Sequence, residues 1–338
     1  MTKSLKLSWL GFVVAAVALA GCGAGDKAAD TSTPAKTDAK KYRIAVIPKG
    51  STHEFWKSVH AGADDASKEL GNVEIIWKGP LKEDDRESQV KTVEDFITNK
   101  VDGIVLAPLD DTALKAPVDE ATKSDIPVLI IDSALKGGDT VSFVATDNEK
   151  GGEMAGDAMV KLLGGKGRVA MLRYEEGSAS TAARELGFLT AIKKAPGITV
   201  VSENQYAGAT VETAQKASEN LLQGLNKGGA LGIDGIYTPN ESSTFGMLRV
   251  LQDGGFAGKV KFMGFDASAK LLEGLKAGQI NGLVIQNPRK MGYLGVKTLI
   301  QKLKGEKVEA RIDTGATLVT KENMDTPDNQ KLLAPPAN

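Results

Sequence analysis

The apolar positions of this chain follow two alternating periods. From Tyr42 onward, short aliphatic runs such as Ile44-Ala-Val-Ile47, Gly103-Ile-Val-Leu-Ala107 and Ile126-Pro-Val-Leu-Ile-Ile131 are separated by segments whose apolar residues return every three or four positions. Runs this continuous do not suit a strand with one wet face. They predict strands covered on both sides, which means a parallel sheet with helices on each face. Strands are predicted at 43–48, 73–77, 103–107, 127–131, 141–145, 168–172, 198–203, 233–238, 260–265 and 280–285. Between them, Phe55, Val59, Ala63, Ala66 and Leu70 share one helical face, as do Val90, Val93 and Ile97, then Leu186, Leu189 and Ile192. So many strands exceed one small open sheet, and two α/β lobes are the simpler arrangement. Each half opens with a strand, a polar loop and a helix, then repeats the unit.

The first 41 residues read as address and tether. Lys3 and Lys6 precede an apolar run, Leu7 to Ala20, that is short for a membrane span and suits a signal peptide over 1–21. After Cys22, residues 23–41 are Gly, Ala, Asp, Thr, Ser, Pro and Lys without apolar periodicity, so 22–41 reads as a flexible tether. Cys22 is the only cysteine, so the chain holds no internal disulfide. Cleavage after residue 21 would remove two Lys and no acid, leaving 40 basic and 43 acidic residues and a charge near −3. With no basic stripe, nucleic acid is not an expected partner.

Candidate chemistry gathers at strand ends. The loop after the first strand, Lys49-Gly-Ser-Thr-His53-Glu, leads into Phe55-Trp56, with Ser51 or Thr52 available to cap the helix. Adjacent helix positions cannot both face the core, which leaves a ring for a ligand. Lys49 reads either as a solvated rim lysine or as a partner for Asp132, Glu54 or an acidic ligand. Asp132 and Ser133, Asn240, Asp266 and Gln286 each follow the last apolar residue of a strand, and Arg184 starts a later helix. Any one of the strand-end acids and amides could be a helix cap or turn former. Together they make a rim of fixed donors and acceptors, where ligands sit in open α/β sheets. Hydroxyls, which donate and accept, suit such a rim, and aromatic rings suit the apolar face of a sugar. The stretch Trp77-Lys-Gly-Pro80…Glu83-Asp-Asp-Arg86…Gln89 is a polar loop before a helix that could reach the pocket, but it reads rather as a surface charge cluster.

Signs of an enzyme are thin. The two histidines, His53 and His60, have no partner at metal-ligand spacing, so no metal or cofactor is expected. No phosphate loop and no nucleophile elbow occurs. Gly151-Gly-Glu-Met-Ala-Gly156 lacks the lysine of a phosphate loop and reads as a helix start packed closely on its neighbour.

Leu19-Ala-Gly-Cys22 resembles the bacterial lipobox, in which the cysteine is lipidated. Behind it, Phe55-Trp56, Ile126-Pro-Val…Asp132, Ala145-Thr-Asp147-Asn148…Gly151-Gly152, Ala182-Ala-Arg184-Glu…Gly187-Phe188, Asn240-Glu241, Gly264-Phe-Asp266 and Gln286 stand in the order and spacing of type I periplasmic binding proteins of the ribose/galactose kind. That resemblance implies two Rossmann-like lobes joined by a three-crossover hinge: 42–145 plus 287–315, and 146–286 plus 316–325, with 326–338 as a tail. It implies a monomeric, lipid-anchored receptor at the outer face of the cytoplasmic membrane or in the periplasm. Such a receptor delivers a sugar or polyol to an ABC permease; presenting a ligand to a membrane sensor is the alternative. His53, Phe55, Trp56 and Asp132 would face the ligand from the first lobe, with Lys49 and Ser133 at expected contact points. Arg184, Asn240, Asp266 and Gln286 would come from the second lobe or the hinge. Lys49, Ala107-Pro108 and Ser133 depart from the ribose pattern, which puts ribose itself in doubt.

Overall fold

The computed structural model describes residues 40–334. The segment read as a signal peptide, Cys22 and nearly all of the expected tether lie outside the described residues, as do the last four positions. The chain begins with β1 (Tyr42–Ile47), α1 (Glu54–Leu70), β2 (Val73–Trp77), α2 (Arg86–Thr98), β3 (Gly103–Leu106), α3 (Lys115–Lys123), β4 (Val128–Ile131) and β5 (Phe143–Ala145). It continues through α4 (Asn148–Leu162), β6 (Lys166–Arg173), α5 (Ala179–Lys193), β7 (Gly197–Tyr206), α6 (Val211–Leu225), the short β8 (Asn226–Lys227) and β9 (Ala230–Leu231), and β10 (Gly235–Tyr237). Then come α7 (Glu241–Asp253), β11 (Lys261–Phe265), α8 (Ala269–Lys276), β12 (Gly282–Gln286), α9 (Pro288–Leu303), β13 (Arg311–Asp313), β14 (Ala316–Val319) and α10 (Pro327–Leu333).

Two six-stranded sheets result. One runs β2-β1-β3-β4-β5-β13 and is parallel throughout; the other runs β7-β6-β10-β11-β12-β14, with only β14 antiparallel. Leaving aside the β8–β9 ladder, the two orders match strand for strand. Strand pleating explains the apolar runs: Ile104 and Leu106 enter one buried layer while Val105 enters the layer on the other face. The second sheet repeats this with Ala170 and Leu172 against Val169 and Met171. β13 and β14, absent from the sequence reading, are edge strands of three and four residues without a fully buried run.

The chain passes between the lobes three times: after β5, after β12 and between β13 and β14. The first and third passages are tied together. Thr314 N–H donates to Ala145 O at 3.0 Å, Thr146 Oγ1 to Gly315 O at 3.3 Å, and Asp147 N–H to Asp313 Oδ1 at 3.2 Å.

Each lobe also has a pair of helices in backbone contact. A Cβ on Gly152 of α4 would lie 1.9 Å from the Arg184 carbonyl oxygen, and one on Gly187 of α5 would lie 2.0 Å from that of Glu149. The Gly151–Gly156 stretch is thus a packing seam, and it sets how deep Arg184 sits. In the first lobe Gly62 of α1 and Gly292 of α9 play the same part, at 1.9 and 2.0 Å from Arg289 and Val59 carbonyl oxygens. Helix α10 falls inside the segment read from sequence as a tail; Leu332 and Leu333 pack against the second-lobe core. Among the described residues no helix is long and apolar enough to cross a membrane.

Candidate functional site

The carboxyl ends of both sheets open onto one interlobe cleft. Asp132 follows β4 and Asp266 follows β11, corresponding places in the two lobes. Both take left-handed backbone, φ 61° and 68°, a conformation that Asp tolerates better than most side chains. Between them sits Arg184, buried at 2% exposure. Its guanidinium lies 4.1 Å above the Phe265 ring, Nε donates to Asn148 Oδ1 at 2.8 Å and Nη1 to Pro239 O at 3.0 Å. Asp132 and Asp266 approach it to 3.9 and 4.0 Å. Gln286, the last residue of β12, donates Nε2–H to Asp266 Oδ1 at 2.7 Å, and the Glu241 N–H donates to Asp266 Oδ2 at 3.0 Å. Burial pushes the Asp266 carboxyl above its ordinary range, against the pull of Arg184 and Gln286.

A second cluster forms on Glu83, in the stretch whose favoured reading from sequence is a surface charge cluster. Glu83 is buried, and its carboxylate accepts from Trp56 Nε1 at 2.7 Å and from the Tyr174 hydroxyl of the other lobe at 2.7 Å. His53 Nδ1 stands 2.6 Å from Glu83 Oε1. Burial draws the His53 pKa down, but the charge and hydrogen bond of Glu83 outweigh it and raise the imidazole to about 9. Burial likewise works against ionised Glu83, yet His53, Lys49 and Tyr174 hold it at about 2.

Lys49 corrects the solvated-rim reading in favour of the alternative, pairing with Asp132. It is 3% exposed, pairs with Asp132 at 3.2 Å and donates across the cleft to Ser178 Oγ at 3.2 Å and Ser180 Oγ at 3.0 Å. Phe55 and Trp56 correct a second expectation, because both are buried. They meet edge to face at 4.9 Å within the first-lobe core, and both also line the interlobe cavity. A third correction concerns the start of α1. Neither Ser51 nor Thr52 caps it. His53 is the N-cap residue and contributes no side-chain cap; Glu241 of the second lobe accepts from the Phe55 N–H at 3.1 Å and the Glu54 N–H at 3.4 Å. Burial raises Glu241 to about 7, against the pull of His53.

These groups enclose a cavity of about 30 Å³, room for a water or two, so a sugar needs the lobes to part or the side chains to move. Every residue singled out for ligand contact lines it except Ser133, whose Oγ accepts from the Ser180 N–H at 3.1 Å where the lobes meet. Asn240 is also an N-cap, its side chain accepting from the Ser243 N–H at 3.2 Å. Two buried polar atoms on residues that line the cavity lack a hydrogen-bond partner: the donor Arg184 Nη2, which has only Asp132 Oδ1 at 3.9 Å, and the acceptor Gln286 Oε1. Among the described residues no group of His, Cys, Asp or Glu is placed to hold a metal ion.

Glu83, Tyr174, Asn148 and Glu241 were not singled out as contacts from sequence. Tyr174 directly follows β6, at a strand end like Asp132 and Asp266. Glu83 lies in a charged stretch that in isolation looks solvated.

A sequence model described as the periplasmic binding protein domain matches residues 44–307. The D-allose-binding periplasmic protein of Escherichia coli (strain K12) is 30% identical over 272 residues, covering 78% of this chain and 85% of that protein. Two solved structures are each 37% identical with a TM-score of 0.82. One is a carbohydrate transporter solute binding protein of Agrobacterium radiobacter in complex with D-arabinose, covering 87% of this chain and 99% of that one. The other is an ABC transporter solute binding protein of Agrobacterium vitis with bound D-fucose, covering 86% and 100%.

Proposed function

This chain belongs to the periplasmic binding protein family, and from that premise we propose that it captures an uncharged sugar or polyol between its lobes and delivers it to an ABC import permease. The observation that carries the reading is the buried pair of unpartnered atoms, Arg184 Nη2 and Gln286 Oε1. A hydroxyl accepts from the first and another donates to the second; a bare carboxylate or an ammonium group answers only one of them. Charge favours the same ligand class. Lys49 is taken by Asp132, His53 by Glu83, and Arg184 faces two carboxylates, so an acidic ligand would meet no unengaged cation. Phe55, at the cavity wall, offers a ring to the apolar face of a sugar.

The test is a thermal-shift panel of neutral pentoses, hexoses and polyols beside uronic acids and amino sugars. A ligand at about 100 times its Kd adds roughly 2.7 kcal/mol, a shift of several degrees. The expected result is a shift with one neutral class. A shift confined to sugar acids would overturn the reading.

The lipobox belongs to the same proposal. Cys22 carries the lipid, and residues 23–41 hold the monomeric receptor off the membrane surface. Cys22→Ala is expected to release the protein from the membrane fraction or leave it unprocessed, as read by fractionation and immunoblotting. Unchanged membrane association would remove the anchor from the account.

A further inference from the structure

Helix α1 begins without a cap of its own. The first turn of a helix has free N–H groups and a partial positive charge, and a local side chain usually answers both. Here the answer comes from the other lobe. Glu241 lies in the first turn of α7, yet its side chain turns away from α7 and spans the cleft to the Glu54 and Phe55 N–H groups. Its own N–H donates to Asp266, which is bonded in turn to Gln286 beside the hinge. One connected path therefore runs from the first lobe through Glu241 to the carboxylate beside Arg184.

We propose that Glu241 is an interlobe latch: it caps α1 only when the lobes are together, and so sets the closing equilibrium and with it the affinity for the ligand. The proposal rests on the reading that the lobes part to admit a sugar. With the lobes apart, the α1 N–H groups and the Glu241 side chain both bond to water. Closing buries them against each other, and a residue that cannot accept would leave donors of α1 unpaired. Glu241 is thus a positioning residue, acting through α1.

The latch responds to pH. The groups facing Glu241 are His53 on the loop before α1, Lys57 one turn into α1, and Asp266 after β11. With the lobes apart Glu241 is hydrated and titrates near its ordinary 4.5; with the lobes together burial raises it to about 7. An acid with a raised pKa favours the state that holds its proton. Closing is accordingly strongest at low pH and weakens as pH rises through this window, on the order of tenfold between pH 5.5 and 8.

The test reads lobe separation without any sugar. In the full chain with Cys22→Ser, spin labels are placed at Lys91→Cys on α2 and Lys216→Cys on α6, both exposed and one in each lobe. Pulsed electron spin resonance then gives the distance distribution at pH 5.5 and 8. The expected result is a short-distance population that falls at pH 8. Glu241→Ala should lower it at pH 5.5 by on the order of tenfold. Glu241→Gln, which keeps an acceptor oxygen but cannot ionise, should restore it and abolish the pH response. Glu241→Ala distances equal to those of the unsubstituted residue, or a pH response undiminished in Glu241→Gln, would overturn the proposal. Because no sugar is present, failure here leaves the ligand reading standing, and failure of the sugar panel leaves the latch measurable.

Discussion

Arg184→Ala is expected to abolish sugar binding and to lower stability by about 3–5 kcal/mol, the range for breaking a buried charge cluster by removing one partner. The guanidinium is the only cation within 4.0 Å of Asp266 among the described residues, whereas Asp132 keeps Lys49 at 3.2 Å. The loss therefore falls mainly on Asp266, whose carboxyl burial already pushes up. Without Arg184 it rises further, and the sign of the pH dependence follows. An acid whose folded pKa exceeds its unfolded value destabilises the fold when ionised, so the deficit is small at low pH and grows as pH rises through the folded value. Denaturant unfolding should show a larger difference between the variant and the unsubstituted protein at pH 8 than at pH 5. Arg184→Lys, which keeps a charge without the planar fork, should recover stability in part and binding hardly at all. A deficit below about 1 kcal/mol with no pH dependence would mean that water reaches these carboxylates.

Glu83→Ala should be the next most damaging change, because one carboxylate serves His53, Trp56 and Tyr174. Hydrogen bonds to a charged group contribute about 1.5–3 kcal/mol each, and the variant leaves the indole N–H and the phenol buried without an acceptor. Binding should weaken with stability, since Tyr174 reaches Glu83 only across the closed cleft. For His53, raised to about 9, the stabilisation is complete below the unfolded pKa near 6.5 and is lost as pH climbs through 9. For Glu83, lowered to about 2, it is complete above 4.5 and is lost as pH falls through 2. The pair thus contributes fully between about pH 4.5 and 6.5. Proton NMR can follow this directly, because the chain has only two histidines. The His53 ring should titrate near 9 in the unsubstituted protein. In Glu83→Gln, where burial acts without the counter-charge, it should titrate well below that. A His53 titration unmoved by the substitution would refute the assignment.

Much of the architecture was legible because its cause is local. A strand covered on both faces must be apolar at every position, and Val128–Ile131 is. Asp132 and Asp266 were legible for a related reason: the first polar residue after a buried strand stands at the sheet edge where parallel strands end together. The glycines at the start of α4 also showed themselves, as small residues at a helix start without the lysine of a phosphate loop.

What the sequence determined on its own, then, was the two-lobed α/β layering and the edge where a ligand would meet it, since strand covering and strand-end polarity leave their mark residue by residue. The state of the charged groups was decided by tertiary structure alone. Lys49 and Glu83 sit in polar stretches that would be solvated on a single lobe; they are buried because the second lobe brings Ser178, Ser180 and Tyr174 against them. Helix α1 lacks a local cap because its acceptor, Glu241, stands 186 positions from Phe55 along the chain. Charge, hydration and capping depend on which surfaces face each other across the cleft, and no neighbouring residue records that.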